Sequence, residues 1–149
     1  MEYKIATSED IDEMMGIRME MLRVVNKLSG GQDFSEEFLS FSRQYFLTGN
    51  QVTCLAIDKG TVIGCASISY IEVMPTYSHV TGKRAHLMNV YTREEYRRQG
   101  IAGKLVQMLI DDAKRKGATE ISLDSTDSGR SLYRNLGFRA SEECMVMNL

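Results

Sequence analysis

The chain has 149 residues, of which 43% are hydrophobic and 26% charged, with 12 glycines and 1 proline. This composition is that of a globular protein and excludes a collagen-like, proline-rich or low-complexity chain. The net charge is −2, which argues against binding nucleic acid or an anionic membrane over a broad surface. We therefore expect one domain over residues 1–149 that binds a small ligand.

The chain shows no signal for a membrane, a disulfide framework or a metal. No window approaches 18 consecutive apolar residues, and the N-terminus lacks a basic segment followed by an apolar run, so we predict a cytoplasmic protein without a membrane partner. Cys54, Cys65 and Cys144 form an odd set without C-x-x-C spacing and are predicted to be small hydrophobes. His79 and His86 are seven residues apart, so we predict no metal site.

Hydrophobic periodicity and capping residues predict the secondary structure. The predicted elements are, in order, a strand Tyr3–Ala6, a helix after Thr7 that runs to Ser29-Gly30-Gly31, a helix from Ser35 to Thr48, a hairpin of Val52–Ile57 and Thr61–Val73, a strand Arg84–Thr92, a helix Ile101–Gly117, a strand Glu120–Asp124, a helix Gly129–Asn135 and a strand Glu143–Leu149. Residues 74–83 are predicted to form a loop. A hairpin together with a helical crossover predicts a mixed sheet in an α/β or α+β fold.

A basic, glycine-containing loop precedes the helix that begins at Ile101. It reads Arg97-Arg98-Gln99-Gly100-Ile101-Ala102-Gly103-Lys104. The first turn of a helix has unpaired N–H groups, and small residues there let an anion approach the backbone, so the loop is a candidate pyrophosphate site. It matches neither the P-loop nor G-x-G-x-x-G. The alternative is a solvated basic loop whose glycines serve close packing.

Two motifs in this order resemble the GNAT superfamily of acyl-CoA-dependent N-acetyltransferases. Arg97, Gly100 and Ala102 match the pyrophosphate loop, which is Arg or Gln, two residues, Gly, one residue, and Gly or Ala. The segment 131–138 resembles Leu-Tyr-x-x-x-Gly-Phe of the same superfamily. Gly82-Lys83 before Asn89-Val90-Tyr91-Thr92, and the stretch from Leu123 to Arg130, resemble one bacterial group, so the resemblance covers nearly the whole chain. Thr126 departs from the pattern, since many members have Asn there and use it to contact pantetheine.

The resemblance implies a mixed central sheet flanked by helices and a binding site for acetyl-CoA. The strand before the loop would bulge away from the next parallel strand and open a cleft for acetyl-CoA, with the pantetheine arm on the strand and the pyrophosphate on the loop. A backbone N–H near Val90 or Tyr91 would polarise the thioester carbonyl. The implied cofactor-binding residues are Val90, Tyr91, Thr92, Arg97, Arg98, Gln99, Gly100, Ile101, Ala102, Gly103 and Lys104.

Tyr133 is the candidate catalytic residue, because it matches the family tyrosine that gives a proton or hydrogen bond to the leaving thiolate. The alternative is a buried tyrosine that packs beneath the sheet. A serine or cysteine acyl-enzyme is disfavoured: 129–133 begins like Gly-x-Ser-x-Gly but lacks the final Gly, and Cys65 and Cys144 have no supporting motif.

The general base is left open among His86, Glu72 and Asp124. Strand alternation predicts that His86 shares a face with Met88, Val90 and Thr92, and a histidine satisfied within the sheet is the alternative to a base.

The sequence as a whole predicts direct transfer of acetyl from acetyl-CoA to a primary amine. The alternatives are a non-catalytic acyl-CoA-binding sensor and, less favoured by the charge, a nucleic-acid-binding domain. The acceptor is a small-molecule or peptide amine, with amino acids, polyamines, aminoglycosides and protein N-termini all open. Family members lead us to expect a homodimer. We expect the acceptor site in Ser29–Phe46 and Met74–Lys83, which carry Asp33, Glu36, Glu37, Tyr77 and His79.

Overall fold

The structure is a computed structural model that describes residues 1–28 and 34–149. Its strands and α-helices are β1 (Glu2–Ile5), α1 (Ile11–Val25), α2 (Glu36–Thr48), β2 (Gln51–Asp58), β3 (Thr61–Glu72), β4 (Lys83–Thr92), α3 (Ile101–Arg115), β5 (Glu120–Leu123) and α4 (Arg130–Asn135). All of them correspond to predicted elements, with ends that differ by a few residues.

The five strands form one mixed sheet in the order β1-β2-β3-β4-β5. Neighbouring strands are antiparallel from β1 to β4, whereas β5 runs parallel to β4. The parallel pair is joined by the crossover through α3, as parallel strands require. The predicted mixed α/β fold is therefore confirmed.

Helices cover both faces of the sheet. The face that carries α3 is closed by a core whose fully buried side chains include Ile63, Ile68, Leu105, Val106 and Leu109. The opposite face carries α1. The apolar side chains Met14, Ile17 and Met21 of this helix pack against Leu55 of β2 and Cys65 of β3. None of the helices in the described ranges is both long and apolar enough to cross a membrane.

The helix ends follow their capping residues. Thr7 and Asp10 form a capping box ahead of α1, in which the Thr7 amide donates to the Asp10 carboxylate at 2.8 Å. The Ser35 hydroxyl accepts from the amide of Phe38 and begins α2. α1 ends at Val25, before a left-handed Lys27, and the predicted break at Ser29-Gly30-Gly31 lies outside the described residues.

The predicted strand Glu143–Leu149 is wrong. Residues 139–149 carry no regular secondary structure, and Met145, Met147 and Leu149 are almost fully exposed. The segment has the composition of a strand, but a strand is stable only when its backbone pairs with another edge, and this segment joins no ladder of the sheet.

Candidate active site

The parallel strands β4 and β5 are paired only over the first half of β4, because the edge strand β5 ends at Leu123. Their pairing runs from Arg84 opposite Glu120 to Leu87 opposite Leu123 and stops there. β4 continues to Thr92, so within the described part of the chain its edge from Met88 onward pairs with no strand on the β5 side. The family resemblance implies a cleft for acetyl-CoA beside this edge of β4, and the space beside the edge is called the cleft below.

A β-bulge in β4 follows the end of this pairing. Cys65 is opposite Tyr91 and Ser67 is opposite Met88, so two steps along β3 correspond to three along β4. The extra residue, Asn89, has φ +59°, a left-handed conformation that Asn tolerates better than most residues. The bulge therefore turns the backbone that follows it.

The bulge also changes which face of the sheet the side chains after Asn89 point to. His86 pairs with Ser69 on the α1 face, and Met88 lies on that face as predicted. Val90 packs instead into the core beneath α3, and Thr92 lies on the same side, near Ile101. The predicted shared face of His86 with Val90 and Thr92 is thus wrong, because one inserted residue shifts a period of two.

A buried polar network holds Asn89. Its amide nitrogen donates to Ser67 Oγ at 3.0 Å, and its amide oxygen accepts from Arg18 Nη1 at 3.1 Å. Ser67 Oγ in turn lies 2.7 Å from Thr53 Oγ1. Sequence reasoning missed this network, although one signal was present: Arg18 is a charged residue within the apolar stripe of α1.

The loop at the start of α3 presents a row of free amides. Gly100 precedes the helix with φ +80°, and a Cβ added there would meet nothing within 4 Å. The N–H groups from Arg98 through Gly103 donate no hydrogen bond within the described residues, and the first bond into the helix is Lys104 N to Gly100 O. Such a row at a helix N-terminus suits a phosphate.

The predicted loop residues divide between scaffold and binding surface. Arg97 Nε donates to Thr92 O at 2.9 Å and holds the turn against the end of β4. The Ile101 side chain is 3% exposed and anchors the helix in the core, so only its backbone reaches the cleft. Arg97, Arg98, Gln99 and Lys104 have exposed side chains, while Ala102 and Gly103 are half-buried.

The side chains at the end of β4 are buried. Thr92 Oγ1 is buried near Gly64 and Ile101 and has no hydrogen-bond partner among the described residues. Tyr91 is buried on the α1 face, where burial and the Glu20 carboxylate raise its pKa to about 12. The part of Tyr91 that belongs to the cleft is therefore its backbone.

Tyr133 lies half-buried on α4 beside the sheet. Its ring contacts Phe138 edge-to-face at 5.9 Å between centroids, and the main chain of Gly129 lies close beneath the ring. Its hydroxyl has no hydrogen-bond partner in the described residues, and burial raises the pKa of the phenol. The side chain thus packs in the core and also keeps a protonated donor, so the two interpretations of Tyr133 are compatible.

Two of the three candidate bases lie together. His86 Nδ1 is 2.8 Å from Ser122 Oγ, and His86 Nε2 is 3.7 Å from Asp124 Oδ2, across the last rungs of β4 and β5. Glu72 pairs with Lys83 at the far end of β3, roughly 17 Å along β4 from Met88. The structure therefore separates Glu72 from the cleft.

The segments predicted to bind the acceptor lie apart. The loop before β4 is attached to the beginning of β5, where His79 Nδ1 is 2.9 Å from Thr119 Oγ1 and Nε2 is 3.3 Å from Glu120. Tyr77 is fully exposed in this loop, at the end of the sheet opposite the amide row. α2 does reach the His86 face, since Tyr45 OH donates to Ser69 Oγ at 2.8 Å.

Two further predicted acceptor residues lie at the start of α2. Glu36 and Glu37 are exposed in the first turn of α2. Asp33 lies outside the described residues. The cysteines offer no nucleophile, since burial raises the pKa of Cys65 to about 12 and Cys144 is exposed in the irregular C-terminal segment.

Comparison with known proteins agrees with this geometry. The family model described as acetyltransferase (GNAT) family matches residues 14–138. N-alpha-acetyltransferase 30 of Schizosaccharomyces pombe is 32% identical over 111 residues, which cover 72% of this chain and 71% of the relative. Glucosamine 6-phosphate N-acetyltransferase of Trypanosoma brucei brucei is 29% identical over 90 residues, which cover 60% of this chain and 59% of the relative. The chain thus spans less than two thirds of the second relative.

A solved structure resembles the whole chain. It is a predicted acetyltransferase of Clostridium acetobutylicum, crystallised with acetyl-CoA, which is 26% identical with a TM-score of 0.86 over 99% of this chain and 95% of that one. The fold and the family model agree. The chain therefore belongs to the GNAT family of acetyltransferases.

Proposed function

We propose that this protein transfers the acetyl group of acetyl-CoA directly to a primary amine. One observation carries the proposal: the unpaired edge of β4 from Met88 to Thr92 leads to the free amides of Arg98 to Gly103. An extended arm that ends in a pyrophosphate matches that surface, because strand-type bonds hold the arm and helix N-terminal amides hold the phosphates. The related Clostridium acetobutylicum structure, which contains acetyl-CoA, supports this assignment.

The residues of this chain fit acetyl-CoA as a co-substrate. The backbone of Val90, Tyr91 and Thr92 would pair with the pantetheine arm along the edge of β4 beyond Leu87. The pyrophosphate would lie on the segment Arg97–Lys104, where Gly100 leaves open space over the amides. Thr126 stands where many family members have Asn, and its hydroxyl lies 3.1 Å from Ser128 Oγ, so we assign no pantetheine contact to it.

The reaction joins the amine nitrogen to the thioester carbon and breaks the carbon–sulfur bond. As the nitrogen attacks, the carbonyl electron pair moves to oxygen, and a backbone N–H near Val90 or Tyr91 stabilises the oxyanion. Collapse of the intermediate expels the thiolate of CoA. Tyr133 gives its proton to that sulfur, which its raised pKa permits because the phenol is protonated at neutral pH, and the proton that the nitrogen loses as the amide forms returns to the phenolate.

The attacking amine must first lose a proton, because an alkylamine has a pKa of about 10.4. His86 is the group we assign to this step. It lies on the α1 face, two residues before Met88 and roughly 7 Å from it along β4, with Ser122 and Asp124 as neighbours. We propose that the proton passes from the amine to the imidazole through a bound water.

The acceptor is proposed to be a small-molecule or peptide amine. Relatives carry names that specify glucosamine 6-phosphate, thialysine and aminoglycosides as acceptors. These acceptors share a primary amine, which is the feature the proposed chemistry requires. From the family resemblance we further propose a homodimer, which sedimentation of the purified protein tests.

Calorimetric titration of the purified protein with acetyl-CoA, CoA and ATP tests the proposal first. We expect both CoA forms to bind and ATP not to bind, after which a panel of primary amines should release free thiol from acetyl-CoA. Binding of CoA without thiol release from any amine would instead support the acyl-CoA sensor. Absence of CoA binding would overturn both functions.

A further inference from the structure

Arg18 occupies a position on α1 where a neutral side chain would be expected. Met14 precedes it by four residues and Met21 follows it by three, and both are buried against the sheet. Residues at these spacings share one helix face. The guanidinium is therefore turned toward the sheet and away from the exposed side of α1.

The charge of Arg18 has no counterion among the described residues. Its one hydrogen bond there goes to the neutral amide oxygen of Asn89 at 3.1 Å. Two of the three acidic side chains of α1 are engaged elsewhere, since Asp12 pairs with Arg43 at 3.3 Å and Glu20 pairs with Arg93 at 2.9 Å; the third, Glu13, is exposed to solvent. Since a guanidinium has five N–H donors, most of its donors remain for another group.

Holding this charge half-buried costs free energy. Burial lowers the pKa of the Arg18 guanidinium, although arginine remains protonated in proteins. An unpaired charge is tolerated inside a protein poorly, and an apolar residue of similar size would stabilise the helix contact better. The arrangement is explained if an anion neutralises the guanidinium when a ligand binds.

The position of Arg18 points to the acceptor as that ligand. Its partner Asn89 is the bulge residue, one position before Val90, whose N–H is proposed to polarise the thioester. Arg18 approaches the bulge from the α1 face, which also carries His86 and the 41% exposed Met88. The amides proposed for the pyrophosphate lie at the other end of this part of β4, so the anion at Arg18 does not belong to acetyl-CoA.

We propose that Arg18 binds an oxyanion of the acceptor, either a carboxylate or a phosphate, and thereby selects amines that carry such a group near the reacting nitrogen. The inference rests on the proposed acetyl transfer and names the substrate class for it. It favours amino acids and phosphorylated amino sugars over polyamines and aminoglycosides, which lack an anionic group. Arg18 would attract the anion and would also disfavour purely cationic amines.

Paired amines test the selection. L-alanine with L-alaninamide, and glucosamine 6-phosphate with glucosamine, differ in one anionic group within each pair. We expect the anionic member of at least one pair to be acetylated with a kcat/KM about 100-fold higher, and the pair that shows it identifies carboxylate or phosphate. Equal use of both members in both pairs, or preference for the neutral members, would overturn the proposal.

Three variants separate binding from support of the bulge. Arg18→Gln should raise KM for the anionic amine by about 30-fold or more, with little change in kcat or in the rate for its neutral partner. Ser67→Ala removes the other side-chain partner of Asn89 and should affect both members of a pair alike. Arg43→Gln removes an exposed cation of the neighbouring helix and should change neither. If Arg18→Gln slowed both members equally, Arg18 would be a positioning residue only.

A binding measurement keeps the inference separate from the proposed function. In the CoA-saturated protein, millimolar acetate or inorganic phosphate should shift the Arg18 Nε–H resonance, assigned by its loss in Arg18→Lys. Absence of a shift with either anion would refute the site. Calorimetry of Arg18→Gln should show unchanged affinity for acetyl-CoA. If the wild-type protein does not bind acetyl-CoA, the proposed acetyl transfer is refuted. The same anion titration, carried out without CoA, then still decides whether Arg18 binds an anion.

Discussion

Arg93 and Glu20 form a two-point ion pair between the end of β4 and α1. Arg93 Nε donates to Glu20 Oε2 at 3.0 Å, and Arg93 Nη2 donates to Glu20 Oε1 at 2.9 Å. Arg93 immediately follows β4 and precedes the loop that begins at Arg97, while Glu20 lies two residues after Arg18. The pair therefore fixes α1, which carries Arg18, relative to the loop proposed to bind the pyrophosphate.

Glu20→Gln should lower the free energy of unfolding at pH 7 by about 1–2 kcal/mol, because it removes a charge-assisted pair that is only one-third exposed. The hydrogen bonds from Arg93 lower the pKa of Glu20, so its carboxylate stabilises the fold above the unfolded pKa of about 4.3. That contribution is lost as the pH falls through the lowered folded value. Urea unfolding at pH 7 and at pH 2.5 measures both effects.

Asp12→Asn is the control for the Glu20 variant. Asp12 also pairs with an arginine, but its side chain is 84% exposed, and such pairs contribute between 0 and about 0.5 kcal/mol. Two outcomes would contradict a stabilising role of the Glu20 carboxylate. One is an equal loss in the free energy of unfolding for both variants at pH 7, and the other is a loss for Glu20→Gln that is as large at pH 2.5 as at pH 7.

Tyr133→Phe should reduce kcat by about 100-fold and leave the affinity for acetyl-CoA nearly unchanged, because the hydroxyl acts when the thiolate leaves. Steady-state thiol release and calorimetry measure the two quantities. Tyr70→Phe is the matched control, since Tyr70 is also half-buried and its hydroxyl hydrogen-bonds Asp112, on the face of the sheet covered by α3. Full turnover by Tyr133→Phe would remove Tyr133 from the mechanism.

Gly100→Glu should abolish acetyl-CoA binding, since it places bulk and negative charge over the amides that are proposed to hold the pyrophosphate. Gly117→Glu is matched to it: Gly117 has the same φ of +80° and lies beyond the other end of α3, roughly 25 Å away. Both variants carry the same backbone strain, and circular dichroism reports the fold. Retained affinity in a folded Gly100→Glu protein would reject the pyrophosphate site.

His86→Gln should slow acetylation of a primary amine by about 100-fold near pH 7, where the amine is protonated. The deficit should shrink as the pH approaches 10, because solvent then supplies the neutral amine. Glu72→Gln is the control, since Glu72 lies at the far end of the sheet. A deficit that is constant from pH 7 to pH 10 would show that His86 does not assist deprotonation.

Local sequence signals predicted most of the elements because each signal acts over a few residues. The Ser35 cap, the turn at Lys59-Gly60 and the glycine at position 100 each direct the backbone nearby, and the structure follows all three. The prediction of a strand at Glu143–Leu149 was wrong because it depended on a long-range contact. The composition of this segment suits a strand, but strand formation depends on a partner edge that composition does not encode.

The candidate site was predictable only in its motif residues. Arg97, Gly100 and Tyr133 belong to contiguous patterns, so their positions followed from the sequence. The hydrogen bond between Arg18 and Asn89 joins residues that are 71 positions apart, and no pattern in either segment predicts this contact. The face of Val90 was mispredicted because a bulge is a property of a strand pair and leaves no mark in the alternation of one strand.

The sequence by itself determined the order of the elements from β1 to α4, the mixed sheet and the family, and it predicts a phosphate site at the loop before α3. These follow from short-range periodicity, caps and motifs, whose energetics are local. Only the tertiary structure decided where the pairing of β4 with β5 ends, which side chains face the α1 side of β4 and which cation there lacks a counterion among the described residues. Those properties arise from long-range pairing and from desolvation, which depend on residues brought together from distant parts of the chain.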